Sequence, residues 1–206
     1  MTNTTLEKFS LLCRCLGIEE PMARDIFVEL NQRYGESHRA YHNLHHIDQM
    51  LGTFHAMSES DHAMETAIWF HDSVYDPKQS DNEEQSALLF LRLLGGKMPA
   101  SMAERVRRLI LATDPRAARS GRADESLLID IDRAILAAGP EEYEAYRLAI
   151  RREYGHVGDE QFAAGRGAFL KDCLTRPIFT TPDFLACEEK ARKNLQRELD
   201  ALKLPR

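Results

Sequence analysis

A chain of 206 residues that is 43% hydrophobic carries enough apolar side chain for one substantial core and does not call for a second domain. Its formal net charge of −6 excludes a general polyanion binder, because sequence-independent nucleic-acid affinity comes from many Lys and Arg neutralising phosphates. Cys13, Cys15, Cys173 and Cys187 form no C-x-x-C pair, which excludes a zinc knuckle and a disulfide framework and leaves four expected buried free thiols.

The opening Met1-Thr-Asn-Thr-Thr has no basic stretch followed by an apolar one, and no window approaches about 18 uninterrupted apolar residues. A cytoplasmic protein without membrane contact is the expectation. Leu, Ile, Ala and Met recur at three- and four-residue spacing throughout, without alternating β-branched runs, so the predicted class is all-α. Helices are predicted over roughly 4–16, 21–36, 43–58, 60–74, 81–95, 99–113, 124–138, 140–154, 159–174 and 182–203.

Several helix ends carry their own chemistry. Ser80-Asp-Asn-Glu83 and Ser101-Met-Ala-Glu104 have capping-box spacing, in which the serine accepts from an early amide and the glutamate reaches back. Gly139-Pro140-Glu-Glu supplies a C-terminal glycine, an N1 proline and an acidic first turn, and Thr181-Pro182-Asp183 repeats the device. Two stretches break the helical pattern and are predicted as long loops: Asp72 to Asp81, with Pro77, and Asp114 to Ala123, with Pro115, Gly121 and three arginines.

The first of these loops begins at His71-Asp72, at the end of the apolar run Ala67-Ile68-Trp69-Phe70. A histidine and an aspartate inside a hydrophobic segment are costly to bury unless satisfied, and a divalent cation is the usual partner of neutral imidazole plus carboxylate. A helix starting near Asn43 puts His46 in its first turn and leaves His42 at its mouth, geometry that suits one ligand and one nearby acid. Asp130 and Asp132 sit in Leu127-Leu-Ile-Asp-Ile-Asp132, apolar surroundings that would not tolerate an unpaired carboxylate cheaply. Three helices thus each offer donors. His45 projects about 100° from His46 and is expected at the surface, while Trp69-Phe70 is expected to pack the core behind the site.

The ordered set His46, His71-Asp72 and a distant aspartate resembles the H…HD…D signature of HD-domain phosphohydrolases. Arg39-x-Tyr41-His42-x-x-x-His46, Trp69-Phe70-His71-Asp72-x-Val74-Tyr75, Asn82-Glu83-x-x-Ser86-Ala87, Asp130-x-Asp132 and Arg151-x-Glu153-Tyr154 look like the metal-dependent HD-superfamily phosphohydrolases of bacteria. Tyr41-His42-Asn43-x-x-His46 is also similar to the opening motif of cyclic-nucleotide phosphodiesterases. The resemblance implies an HD-domain helical bundle spanning 1–206 as a single domain, with a metal-site core over about 39–140 and C-terminal helices over about 140–203.

Carried over residue by residue, the resemblance implies His46, His71, Asp72 and Asp132 as ligands of a divalent ion (Mn, Mg, Fe, Co or Ni). Asp130 is the alternative to Asp132, whose following Arg133-Ala-Ile-Leu136 resembles the context of the family's last ligand. It implies His42 as general acid, with a fifth ligand or a helix-mouth cap as the alternatives; Glu83, close after the loop from the metal site, is expected to position the attacking water or a group beside the ligands, its capping-box role being the competing explanation. Arg39, Tyr41, Asn82 and Arg151 are implied in binding a small phosphorylated substrate, a nucleotide among the candidates. No histidine occurs between Asp72 and Asp132, so a dinuclear His-rich centre, as in iron-dependent HD oxygenases, is disfavoured. The rival expectation is a non-catalytic nucleotide-binding module that retains the metal.

Overall fold

The computed structural model describes residues 2–57 and 60–202. Among them are ten α-helices and three short 3-10 segments, with no strand, in line with the all-α expectation. Contacts divide the chain into two compact units, Met1–Leu128 and Ile129–Arg206. The boundary falls inside helix α7 (Ala123–Asp132).

The first unit contains α1 (Thr2–Cys15), α2 (Glu20–Tyr34), α3 (Leu44–Ala56), α4 (His62–Phe70), α5 (Asn82–Leu93), a 3-10 turn (Gly95–Lys97), α6 (Ala100–Ala112) and the start of α7. Gly17, at φ 74°, lets the Ile18 amide return to Cys13 O and the Gly17 amide to Arg14 O, closing α1 in a Schellman turn before Pro21 opens α2. At the centre lies α4. Ala63, Met64 and every residue from Thr66 to Phe70 are buried, and a helix apolar on all sides can be accommodated only with neighbours all round it. It packs against α1, α3, α5 and, most extensively, α6. Trp69 meets the rings of Phe9 and Phe27 edge-on at 5.1 and 6.3 Å, and Phe70 meets Phe90 at 5.6 Å, so this pair does form the core. Truncating Trp69 to Ala would cost about 3–5 kcal/mol.

The second unit contains the end of α7, a 3-10 segment (Arg133–Ala137), α8 (Pro140–Glu153), α9 (Asp159–Thr175), a second 3-10 segment (Pro182–Cys187) and α10 (Glu188–Ala201). Buried Glu198 on α10 accepts from Arg166 Nε at 2.8 Å and from the Tyr143 hydroxyl at 2.5 Å, which ties α8, α9 and α10 together. Asn194 donates to the Leu136 and Ala138 carbonyls at 2.9 and 3.0 Å.

Four expectations are corrected. Helix α4 stops at Phe70 rather than near 74: Ser73 donates both its amide (3.0 Å) and its hydroxyl (2.8 Å) to the Phe70 carbonyl, turning the chain so that His71-Asp72 stand just beyond the helix. Neither capping box forms, because α5 begins after Asp81 and α6 after Pro99, which puts Ser80 outside its helix and Ser101 inside. The spans predicted over 124–138 and 182–203 each combine an α-helix with a 3-10 segment. Cys15 is exposed and Cys187 half-buried; Cys13 and Cys173 are the buried pair, and burial pushes the Cys13 thiol up to about 12. The predicted ends at 58 and 203 lie outside the described residues. Among the described residues no helix is long and apolar enough to cross a membrane.

Candidate metal centre

Asn43 caps α3, its side chain accepting from the His45 amide at 2.9 Å and donating to the Ala40 carbonyl at 3.0 Å. That cap sets the phase of the helix: His46 turns inward and is 2% exposed, while His45 faces solvent as expected. His42, just before the cap, is half-buried, its ring stacked on Tyr75 at 4.2 Å and 28° and lying 6.1 Å from the His46 ring. Tyr41 lies 4.8 Å from the His46 ring, within the same aromatic group.

The turn after α4 brings His71 and Asp72 against His46. The two imidazoles are 5.4 Å apart, and Asp72 Oδ2 lies 3.1 Å from His71 Nε2 and 3.7 Å from His46 Nε2. His71 Nδ1 lies 3.0 Å from the Ile68 carbonyl. A carbonyl can only accept, so Nδ1 carries the hydrogen and neutral His71 presents a lone pair at Nε2. Two acceptors, that nitrogen and the carboxylate, approach this closely with profit only when a proton or a cation serves both. An Nδ1–H bound to a backbone carbonyl is also the usual support of a histidine that ligates through Nε2. Burial alone would raise the Asp72 carboxyl; once the ring of His71 is protonated, its charge and hydrogen bond, with positive charge at His42 and His46, outweigh burial and hold the group far below the usual carboxylate range, and a bound cation would supply positive charge at the same place. The donor set therefore fits a divalent ion.

Arg39 does not reach toward solvent. Its side chain is fully buried and its donors are engaged: NH1 to the His42 carbonyl at 3.1 Å and the Asp72 carbonyl at 2.6 Å, NH2 to the Ser73 carbonyl at 3.3 Å, Nε to Glu36 at 3.0 Å. Asn82 closes the loop after Asp72 by accepting from the Asp76 amide (2.9 Å) and donating to its carbonyl (3.0 Å), and Ser86 does the same for Val74. Glu83 is half-buried at the start of α5; burial raises its carboxyl, Asp114 and Asp72 add to the shift and Arg116 opposes it. It borders a cleft of about 290 Å³ that Leu88, Leu111, Asp114 and Arg116 also line. Arg116 bridges the cleft's two loops through Asp114 and the Ser80 carbonyl.

In the second unit Asp130 and Asp132 differ sharply. Asp130 is fully buried, and its Oδ2 accepts from the Thr180 amide (2.8 Å), the Thr181 amide (2.7 Å) and the Thr181 hydroxyl (2.8 Å). Asp132, two residues on and so about 200° round the helix, is half-buried. The Arg151 guanidinium is engaged at its own helix end, donating to the Tyr154 and Val157 carbonyls and to Asp159 at 2.8, 3.0 and 2.8 Å.

Sequence reasoning passed over Tyr75, which supports the His42 ring, and the clamping role of Ser86. Both stand in the motifs, but their contacts span 12 to 33 residues, which no local spacing discloses. No family model, curated protein or solved structure matches the chain.

Proposed function

We propose that the chain is a metal-dependent phosphohydrolase acting on a phosphate ester or anhydride, with nucleotides among its candidate substrates. The observation that carries this reading is the close approach of His71 Nε2 and Asp72 Oδ2 beside His46, donors that a divalent cation can serve together. His46, His71 and Asp72 supply imidazole and carboxylate donors of the kind that hold such an ion, and the H…HD…D pattern adds a late aspartate as the last ligand. Asp132 is assigned in preference to Asp130 because Asp130 Oδ2 holds the Thr180 and Thr181 amides and the Thr181 hydroxyl, which gives that carboxylate a structural task. Imidazole and carboxylate donors suit Mn, Mg, Fe, Co or Ni. An ion bound there supplies Lewis-acid polarisation of a phosphoryl oxygen and activation of a water.

The protein's own groups provide the rest. His42 lies beside the ligands, its ring 6.1 Å from that of His46, and a half-buried imidazole is suited to protonating a leaving oxygen. Glu83, with its raised carboxyl, orients water at the start of α5. Tyr41 walls the His42–His46 side of the site.

The test is turnover of nucleotides, phosphomonoesters and phosphodiesters by metal-stripped protein reloaded with each divalent ion. Asp72→Ala is expected to lose both metal and hydrolysis. His42→Ala is expected to keep the metal and lose about 100- to 10,000-fold in kcat. Full activity of the stripped protein would overturn the reading, and tight nucleotide binding without turnover would favour a binding module.

A further inference from the structure

Arg39 belongs to the motif that suggests a substrate contact, yet its guanidinium is sealed off and spends its donors on protein carbonyls and one carboxylate. NH1 donates at once to the carbonyl of His42 and the carbonyl of Asp72, and NH2 to that of Ser73. The segment before α3 and the turn after α4, far apart in sequence, are thereby pinned through one planar group. The guanidinium sits 5.2 Å from the Tyr34 ring centroid and 5.6 Å from that of Tyr75, cation–π distances that fix its position. Tyr34 is anchored in turn through its hydroxyl, which donates to the Trp69 carbonyl at 2.9 Å, and Tyr75 is the ring on which His42 stacks. Tyr75 is also held through its backbone, where His38 Nε2 lies 2.7 Å from its carbonyl.

We infer that Arg39 is a positioning residue: it sets the distance and angle between the His42 imidazole and the Asp72 ligand and has no contact with substrate. This rests on the roles proposed above for His42 and Asp72. Lysine cannot replace it, because a single ammonium lacks the planar fork that serves carbonyls from two segments in one plane. Misplacement of a reacting group by about 1 Å costs on the order of 100-fold in rate, so loss of the pin falls on turnover rather than on substrate binding.

The decisive experiment combines histidine-ring NMR with steady-state kinetics on Arg39→Lys, His42→Ala and the double variant. In the wild type the His42 ring protons are expected upfield, shifted by the ring current of Tyr75. Arg39→Lys is expected to move them toward the unstacked value, to lower kcat about 10- to 100-fold with KM within about twofold, and to add no further loss to His42→Ala. A purely fold-stabilising arginine would lower the melting temperature and leave the ring shift and the kcat of folded protein unchanged. Should Arg39→Lys not fold, Tyr75→Leu, which keeps the carbonyl hydrogen bonds and removes the stack, is expected to give the same ring shift and the same fall in kcat. An unmoved His42 resonance, a raised KM at constant kcat, or losses that multiply with His42→Ala would each overturn the inference. If the metal-loaded wild type hydrolyses nothing, the proposed function fails instead, and the His42 ring shift alone then decides the role of Arg39.

Discussion

One hydrogen bond, from His71 Nδ1 to the Ile68 carbonyl, decides what the other nitrogen of that ring can do. In the neutral ring it leaves Nε2 as a lone pair facing the Asp72 carboxylate, an opposition that a shared proton or a cation relieves. The same accounting separates the two late aspartates, which spacing alone left open. Asp130 Oδ2 holds two amides and a hydroxyl, so its removal would strand buried donors at Thr180 and Thr181. Asp130→Ala is expected to lose about 3 kcal/mol in urea denaturation while binding metal as the wild type does. Unchanged stability with lost metal would reverse the assignment of Asp130 and Asp132. The carbonyl clamp of Arg39 and the Asp76 clamp of Asn82 were hidden for a related reason. A side chain that binds backbone leaves no residue-type signature at the other end of its bond.

At the scale of elements, local signals carried well. Asn43 caps α3 and Pro140 opens α8 where the pattern of caps and prolines puts them, and the loops after Asp72 and Asp114 fall at their breakers. The end of α4 did not follow from periodicity, because the Ser73 hydroxyl competing for the Phe70 carbonyl is a single-residue event inside an apolar run. The start of α4 is also built on charge. Asp61 accepts from the Ala63 and Met64 amides and pairs with Arg105, which shares Asp124 with Arg108. Burial would raise the Asp61 carboxyl, but Arg105 and those amides hold it below its ordinary value; the hydrogen bond from Arg108 does the same for Asp124 against its burial. Both carboxyls bind protons less readily in the native state than in the unfolded one. Their contribution is therefore complete above about pH 5 and lost as pH falls through about 4 and into the lowered native range. The urea midpoint is expected to fall over that window, and the fall to be smaller in the double variant Asp61→Asn/Asp124→Asn, whose amide oxygen at the first position can still cap α4. Equal pH slopes for variant and wild type would remove this network from the acid response.

At the scale of the whole chain, a net charge of −6 argues against a general polyanion binder. Its class was legible because periodicity is repeated in every helix, and the His46, His71, Asp72 group because a polar pair in an apolar run stands out. An ion that binds the native chain and not the unfolded one must stabilise it: at free metal about 100 times Kd the gain is about 2.7 kcal/mol, read as a raised melting temperature. Asp72→Ala is expected to show no such rise. Binding of a divalent ion by His46, His71 and Asp72 is read by calorimetric titration of the metal-stripped chain with cobalt. One ion per chain is expected in the wild type and none in His71→Ala; no uptake by the wild type, or uptake that survives the loss of His71, would overturn the assignment of the ligands.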